Sequence, residues 1–373
     1  MDGLPDEVAN LAAVAARCAE DTERAGALAP EVVAAAKTSG LLRAGLPARL
    51  GGSEPTAAAV LRAAERVAEA DASAGWCVSI AATSSLLGAY LPEDGGQEVF
   101  GDPAAVAFGV WAPQGRLTPA EGGVTVSGRW PFCSGVPHCD WGFLGGVRAD
   151  TGQLVVAAMP AAELTIHDTW HTSGLRGTGS HDTSADEVFV PARRLLSVVD
   201  GPPADAGPLH RFPIFGFFAA SIAAAALGNA RGAITDLLEL AVAKRPSGSR
   251  RTLAERSGTQ GALGAAEAAL RAAREFYYRA IDDAWLAAEE SAVVPDPVRL
   301  ALRLACTHAV RVSAEITRTA YDLGGGTAIY ETSPLQRRFR DAHTATAHFQ
   351  VNAATYELPG RLLLGLPADT TQL

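Results

Sequence analysis

The sequence predicts a mainly α-helical protein with a β-domain set into its middle, and two observations carry that expectation. Apolar residues recur at three-to-four spacing before about residue 104 and again after about residue 200, whereas the stretch between breaks into short β-prone runs bounded by glycine, proline and aspartate. At 373 residues, 48% hydrophobic and 19% charged, the chain has the length for two or three subdomains and the apolar content to bury each. The expected division is a helical domain over 1–103, a β-domain over 104–200 and a helical bundle over 201–373.

The first region is rich in alanine and leucine, with Val32, Val33, Leu41 and Leu42 at helical spacing and Gly40, Gly45, Pro47, Gly51 and Gly52 as punctuation. From Thr56 to Ala70 charge falls on one face and alanine, valine and leucine on the other, as an amphipathic helix requires. The second region holds Gly123–Gly128, Trp141–Leu144, Leu154–Ala157 and Glu187–Val190, four runs read as strands of a small, mostly antiparallel, barrel-like domain. A polar, proline-rich connector follows over Asp200–Pro208. Helical periodicity then returns, and Leu253–Glu290 has the core spacing of a long bundle helix.

Bulk properties exclude several function classes. Lysine and arginine total 31 against 41 acidic residues, a net charge of −10 with no segregated basic stripe, so no nucleic-acid partner is expected. Five scattered cysteines (Cys18, Cys77, Cys133, Cys139, Cys306) without a CxxC pair predict reduced thiols, no disulfide framework and no metal site. The acidic start Met1–Glu7 lacks a basic, apolar leader, and the most apolar window, Phe212–Leu227, spans about 16 residues before Asn229 and Arg231 interrupt it. A cytoplasmic protein without a membrane partner is expected.

Three glycine-containing motifs stand out. Gly324, Gly325 and Gly326 would let backbone N–H groups approach a pyrophosphate, or would serve as a helix C-cap and turn. Gly174–Ser180 reads as a glycine-rich hairpin or a shaped loop beside a ligand. In Gly128–Gly135, Trp130 and Phe132 lie on one face of a strand, either as core or against a flat ring.

In this order, and on a helix-strand-helix layout, these motifs resemble the acyl-CoA dehydrogenase superfamily over nearly the whole chain. Gly128-Arg-Trp-Pro-Phe-Cys-Ser-Gly135 is similar to the segment that faces the flavin ring, and Gly174-Leu-Arg-Gly-Thr-Gly-Ser-His-Asp182 with Glu187–Pro191 to the turn and strand that close the β-domain. Leu323–Tyr330 resembles the turn near the cofactor phosphates of a neighbouring subunit, and Pro334–Ala342, with its Arg340-Asp341-Ala342, the helix leading into the active site. The resemblance implies a C-terminal four-helix bundle and a homotetramer. It also implies a flavin held by Trp130, Phe132, Ser134, Gly324, Gly325 and Gly326, and by Arg250, which stands ten residues before Gln260 as the family's phosphate-binding arginine does.

A dehydrogenase needs a carboxylate base to remove the proton α to a thioester. The family's two base positions, counted from Arg340 and from Gly228, fall here on Phe349 and Phe218, and no Asp or Glu lies between Phe212 and Leu227 or between Ala342 and Tyr356. What remains is His348, which matches the histidine of the two-component monooxygenases of this fold, whose separate reductase supplies reduced flavin and whose flavin C4a takes up O2. The expected function is therefore oxygenation of an aromatic, heteroaromatic or amine small molecule with reduced FAD, FMN being the alternative. His348 would exchange protons with a pKa near neutrality, Ser134 would stand near flavin N5, and Trp111, Ser84, Ser85, Phe218 and Phe349 would line the substrate pocket. Many such relatives carry a second histidine where Ser84 and Ser85 stand, so hydroxyl contacts replace a second base. A dehydrogenase or oxidase on the same scaffold, and a non-catalytic flavin-binding homologue, are the competing readings. His343 is expected to be peripheral, and His171 and His181 flank the glycine turn.

Overall fold

Helices α1 (Asp6–Arg17), α2 (Ala19–Ala25), α3 (Pro30–Thr38), α4 (Ala57–Ala70), α5 (Ala72–Ser85) and α6 (Glu93–Phe100) form the first region of the computed structural model, which describes residues 6–203 and 206–373. Residues 1–5 of the acidic start and 204–205 of the connector lie outside the described residues. Capping sets two of these helix starts: Thr56 accepts the N–H of Ala59 and Asp71 that of Ala74, each satisfying a donor the helix itself leaves free. Every residue of α5 is buried, which explains why its sequence has no polar face.

The strands are β1 (Ala107–Ala120), β2 (Gly123–Trp130), β3 (Trp141–Arg148), β4 (Leu154–Pro160), β5 (Thr165–His167), β6 (Asp182–Pro191) and β7 (Leu195–Leu196), in one sheet of order β5-β6-β2-β1-β3-β4-β7. All neighbours are antiparallel except β1 and β3, and β5 and β7 are the unpaired edges of an open ladder. The sequence reading leaves out the short edge strands β5 and β7 and also the longest strand, β1, whose pattern Gly109, Pro113, Gly115 and Pro119 break. Pro113 is tolerated because it falls inside the register shift between Val110 and Gly115, where no ladder N–H is required.

Helices α7 (Pro208–Arg211), α8 (Ile214–Ala243), α9 (Ser257–Glu290), α10 (Asp296–Gly324), α11 (Pro334–Ala345) and α12 (Glu357–Leu363) complete the chain. Central α8 packs against α4, α5, α9, α10 and α11, so apolar residues surround it. Two polar contacts tie it to its neighbours: Ser221 Oγ meets Thr83 Oγ1 at 3.0 Å, and the Ala220 carbonyl accepts from the Tyr277 hydroxyl at 2.7 Å. Two helical stretches, Ala72–Ala89 and Ile214–Ala243, are long and apolar enough to cross a membrane, yet 94% and 83% of their apolar windows are buried within the protein.

Candidate active site

The Arg340-Asp341 pair places the candidate site by joining three elements. Asp341 Oδ1 accepts the Leu175 N–H at 2.6 Å, and Arg340 donates to the Ser173 carbonyl, to Gln336 Oε1 at 2.6 Å and to Glu23 Oε1 at 2.7 Å. The approach is close enough that a Cβ on Gly174 would lie 2.3 Å from the Arg340 carbonyl oxygen, which is why this position is glycine. Burial, reinforced by Glu23 and Asp71, pushes the Asp341 carboxyl up to about 7 against the opposing Leu175 N–H and Arg337. Since the folded protein then holds this proton more tightly than the unfolded chain, its contribution to stability is complete below the ordinary carboxylate value of 3.8 and is lost as pH rises through about 7. The thermal midpoint is expected to fall between about pH 5 and 8, and Asp341→Asn to flatten that slope; an unchanged slope contradicts the assignment.

Helix α11 ends at Ala345, so His348 sits in the turn beyond it. Its ring meets Trp76 at 5.6 Å, Phe218 at 5.4 Å and Phe349 at 4.9 Å between centroids. Burial among these rings holds the imidazole down at about 3, which corrects the near-neutral value expected from sequence. Nδ1 accepts the Gln350 N–H at 3.3 Å, so the neutral ring carries its proton on Nε2. His343 is exposed and stacked on Phe339 at 4.2 Å, away from this cluster. His171 is also exposed, and His181 Nδ1 accepts from the N–H groups of Thr169 and Trp170.

Ser134 joins the same cluster through Trp76, whose Nε1 donates to Ser134 Oγ at 3.1 Å. Ser134 Oγ meets Ser180 Oγ at 2.8 Å, Ser180 Oγ meets Thr178 Oγ1 at 2.6 Å, and Thr178 donates to the Leu175 carbonyl at 2.8 Å. A carbonyl only accepts, so the Thr178 proton is committed to it. Ser180 must then donate to Thr178, and Ser134 to Ser180. Ser134 therefore faces any further partner as an acceptor only.

Trp130 and Phe132 do not share a face as expected. Trp130 is fully buried in the sheet core and donates to the Gly145 carbonyl at 2.7 Å, so its ring is packing and is unavailable to a cofactor. Phe132 lies beyond β2 with φ of 65°, a left-handed backbone that turns its ring outward, 66% exposed and edge-on to Trp170 at 6.2 Å. An aromatic ledge beside a buried hydroxyl chain fits a flat, polar-edged ring such as a flavin.

The two positions counted for a catalytic base, 131 residues apart in sequence, stand side by side: Phe218 and Phe349 are 6.1 Å apart between ring centroids, and Trp111 is 5.2 Å from Phe218. All three line a cavity of about 180 Å³ with Phe215, Val155, Val156, Val198, Val199, Gln350 and Gln372, and among the described residues no Asp, Glu, Lys or Arg contributes to its wall. His348 is in ring contact with both Phe218 and Phe349 but does not itself line this cavity. Trp111 Nε1 is buried without a partner among the described residues, and Ser84 Oγ lies beside it over Gly109, where a Cβ would be 2.6 Å from the first and 3.0 Å from the second. Ser85 is corrected: its hydroxyl donates to the Ala82 carbonyl and accepts the Gly45 N–H, which makes it a brace for the 45 loop.

At the other end of α11, Gly325 adopts φ of 53° and Lys244 donates to the Gly324 carbonyl. Leu253 and Ala254 pack with Ala328 and Leu335, so the exposed loop carrying Arg245, Arg250 and Arg251 lies at the same end of the bundle as the glycine turn. Glycine N–H groups and guanidinium donors gathered there suit a phosphate. The 12 residues of α11 put this end roughly 18 Å from the His348 end.

Sequence reasoning missed Trp76, hidden in a helix without polarity, and Gln350, whose side chain and backbone both enter the site. Residues 4–99 match the family model for the acyl-CoA dehydrogenase N-terminal domain and residues 220–353 that for its C-terminal domain. The chain is 35% identical to an indole-3-acetate monooxygenase of Pseudomonas putida, over 90% of this chain and 87% of that one. It is 29% identical to the FADH2-dependent resorcinol hydroxylase, oxygenase component, of a Rhizobium species, over 74% and 73%. Among solved structures, XiaF from a Streptomyces species in complex with FADH2 and glycerol superposes with a TM-score of 0.90 and 29% identity, over 98% of this chain and 95% of that one.

Proposed function

The chain belongs to the acyl-CoA dehydrogenase-like family, in its flavin-dependent monooxygenase branch, and from that membership we propose that it hydroxylates an aromatic or heteroaromatic small molecule with O2 and reduced FAD delivered by a separate reductase. The observation that carries the reading is that Phe218 and Phe349, both in ring contact with His348, line a cavity to which no carboxylate of the described residues contributes. Such a wall cannot take the α-proton of a thioester but can enclose a flat apolar substrate. Bound reduced flavin supplies the activation of oxygen. His348 Nε2 holds the proton that the reaction needs beside it, and the Gln350 N–H keeps that tautomer. With reductase and NADH present, the protein is expected to hydroxylate indoles or phenols; hydroxylation that persists without reductase or any other source of reduced flavin overturns the reading.

Ser134, an acceptor by the polarity of its hydroxyl chain, matches the N5–H that reduced flavin carries and oxidised flavin lacks. Ser134→Ala is expected to bring the affinities for the two flavin forms closer together and to raise hydrogen peroxide release per turnover. An unchanged affinity ratio with tight coupling would sink the assignment.

Arg250, Gly324, Gly325 and Gly326 are assigned to the cofactor phosphates, serving a neighbour within a homotetramer. Ile329 and Tyr330, directly after the turn, leave 64% and 65% of their surfaces exposed, as an interface would use them. Arg250→Ala should weaken reduced-flavin binding about tenfold, as loss of a charge-assisted contact does, without changing sedimentation as a tetramer. Unaltered affinity refutes the phosphate role, and a monomer at micromolar concentration refutes the assembly.

A further inference from the structure

Arg303, on α10, is buried, and no Asp or Glu pairs with it among the described residues. Its protein partners are carbonyl oxygens: Nη1 donates to the Gln350 carbonyl at 2.8 Å and to Gln350 Oε1 at 2.6 Å, and Nη2 to the Gln372 carbonyl. A guanidinium donates and never accepts, so the Gln350 side-chain oxygen must face Arg303 and the amide nitrogen must face the other way. Gln350 is only 3% exposed, it lines the cavity of Phe218 and Phe349, and its Nε2 makes no hydrogen bond among the described residues. Gln372, carried by the segment that Arg299 also holds through the Thr370 carbonyl at 2.5 Å, lines the same cavity.

A pocket walled mostly by apolar side chains thus ends in a fixed N–H donor, with a buried guanidinium behind it that no Asp or Glu of the described residues pairs. Burying a cation that no carboxylate pairs is unfavourable, and an anion entering the pocket would offset that penalty. We propose that Gln350, oriented by Arg303, is the subsite for the carboxylate arm of an aromatic substrate, so that the protein acts on an aryl carboxylate. The inference rests on the monooxygenase reading and adds the substrate class. In this assignment Gln350 touches the substrate and Arg303 is a positioning residue.

The experiment measures binding of indole-3-acetate and 3-methylindole, and of other aryl carboxylates paired with their uncharged counterparts, to the flavin-loaded protein under anaerobic conditions. Wild type is expected to prefer the carboxylates by about tenfold to a hundredfold, the range of one charge-assisted hydrogen bond. Gln350→Leu should remove that preference by weakening the carboxylates far more than 3-methylindole, and Arg303→Lys should retain part of it. Gln350→Glu, which gives Arg303 a counter-ion and so keeps the fold, should also lose the carboxylates alone. Equal binding of each pair by wild type, parallel loss of both ligands in the variants, or binding of no aryl carboxylate overturns the proposal. Hydroxylation of neutral indoles without any acid preference would overturn it while leaving the monooxygenase reading intact.

Discussion

His348→Ala is expected to bind reduced flavin as the wild type does and to lose hydroxylation by about a hundredfold to ten-thousandfold, the usual consequence of removing one positioned proton donor or acceptor. The cluster of Trp76, Phe218 and Phe349 presses on the imidazole and keeps it neutral, with its value held at about 3, while Gln350 leaves the proton on Nε2. The ring therefore works as a neutral donor across the physiological range. The rate profile should lack a histidine inflection near its ordinary value of 6.5. His348→Gln, which keeps an N–H donor, should recover part of the loss. Wild-type turnover in His348→Ala would remove this residue from the chemistry.

Gly174→Val is expected to abolish most activity and to cost about 2–4 kcal/mol of stability, the sum of overpacking and a broken buried hydrogen bond. Its Cβ would lie 2.3 Å from the Arg340 carbonyl oxygen and 2.7 Å from the Asp341 nitrogen, backbone atoms that move only if α11 moves. Displacing α11 breaks the Leu175 bond to Asp341 and shifts the turn that carries His348. Gly326→Ala is the matched control, since nothing lies within 4 Å of its Cβ and its stability should stay near wild type. Equal thermal midpoints and rates for Gly174→Val and wild type would contradict the docking role of this loop.

Legibility in the sequence followed the physical range of each signal. Helical periodicity marks α4, α8 and α9, and β-prone runs bounded by glycine, proline and aspartate mark β2, β3, β4 and β6, because these signals are local to each element. Strand β1 was illegible because its prolines and glycines are accommodated by a bulge set by a distant partner strand. Counting from Arg340 and Gly228 brought Phe349 and Phe218 to one place, since helices transmit register faithfully over short spans. The imidazole value was illegible because it depends on two rings from elsewhere in the chain, Trp76 and Phe218, besides that of the neighbouring Phe349. Trp130 and Ser85 were misread as ligand-facing because one residue's shift at a strand or helix end exchanges a site for the core. The acceptor character of Ser134 and the orientation of Gln350 exist only as hydrogen-bond chains, which spacing does not encode.

The most direct test of the oxygenase reading is a single turnover of the protein loaded with prereduced flavin, mixed with substrate and ¹⁸O2 in the absence of NADH. Product carrying one ¹⁸O atom, with no bleaching of oxidised flavin when substrate is added anaerobically, is the result expected of a cavity without a carboxylate base. Substrate that reduces the flavin without oxygen, yielding a product free of ¹⁸O, would identify a dehydrogenase and contradict the account.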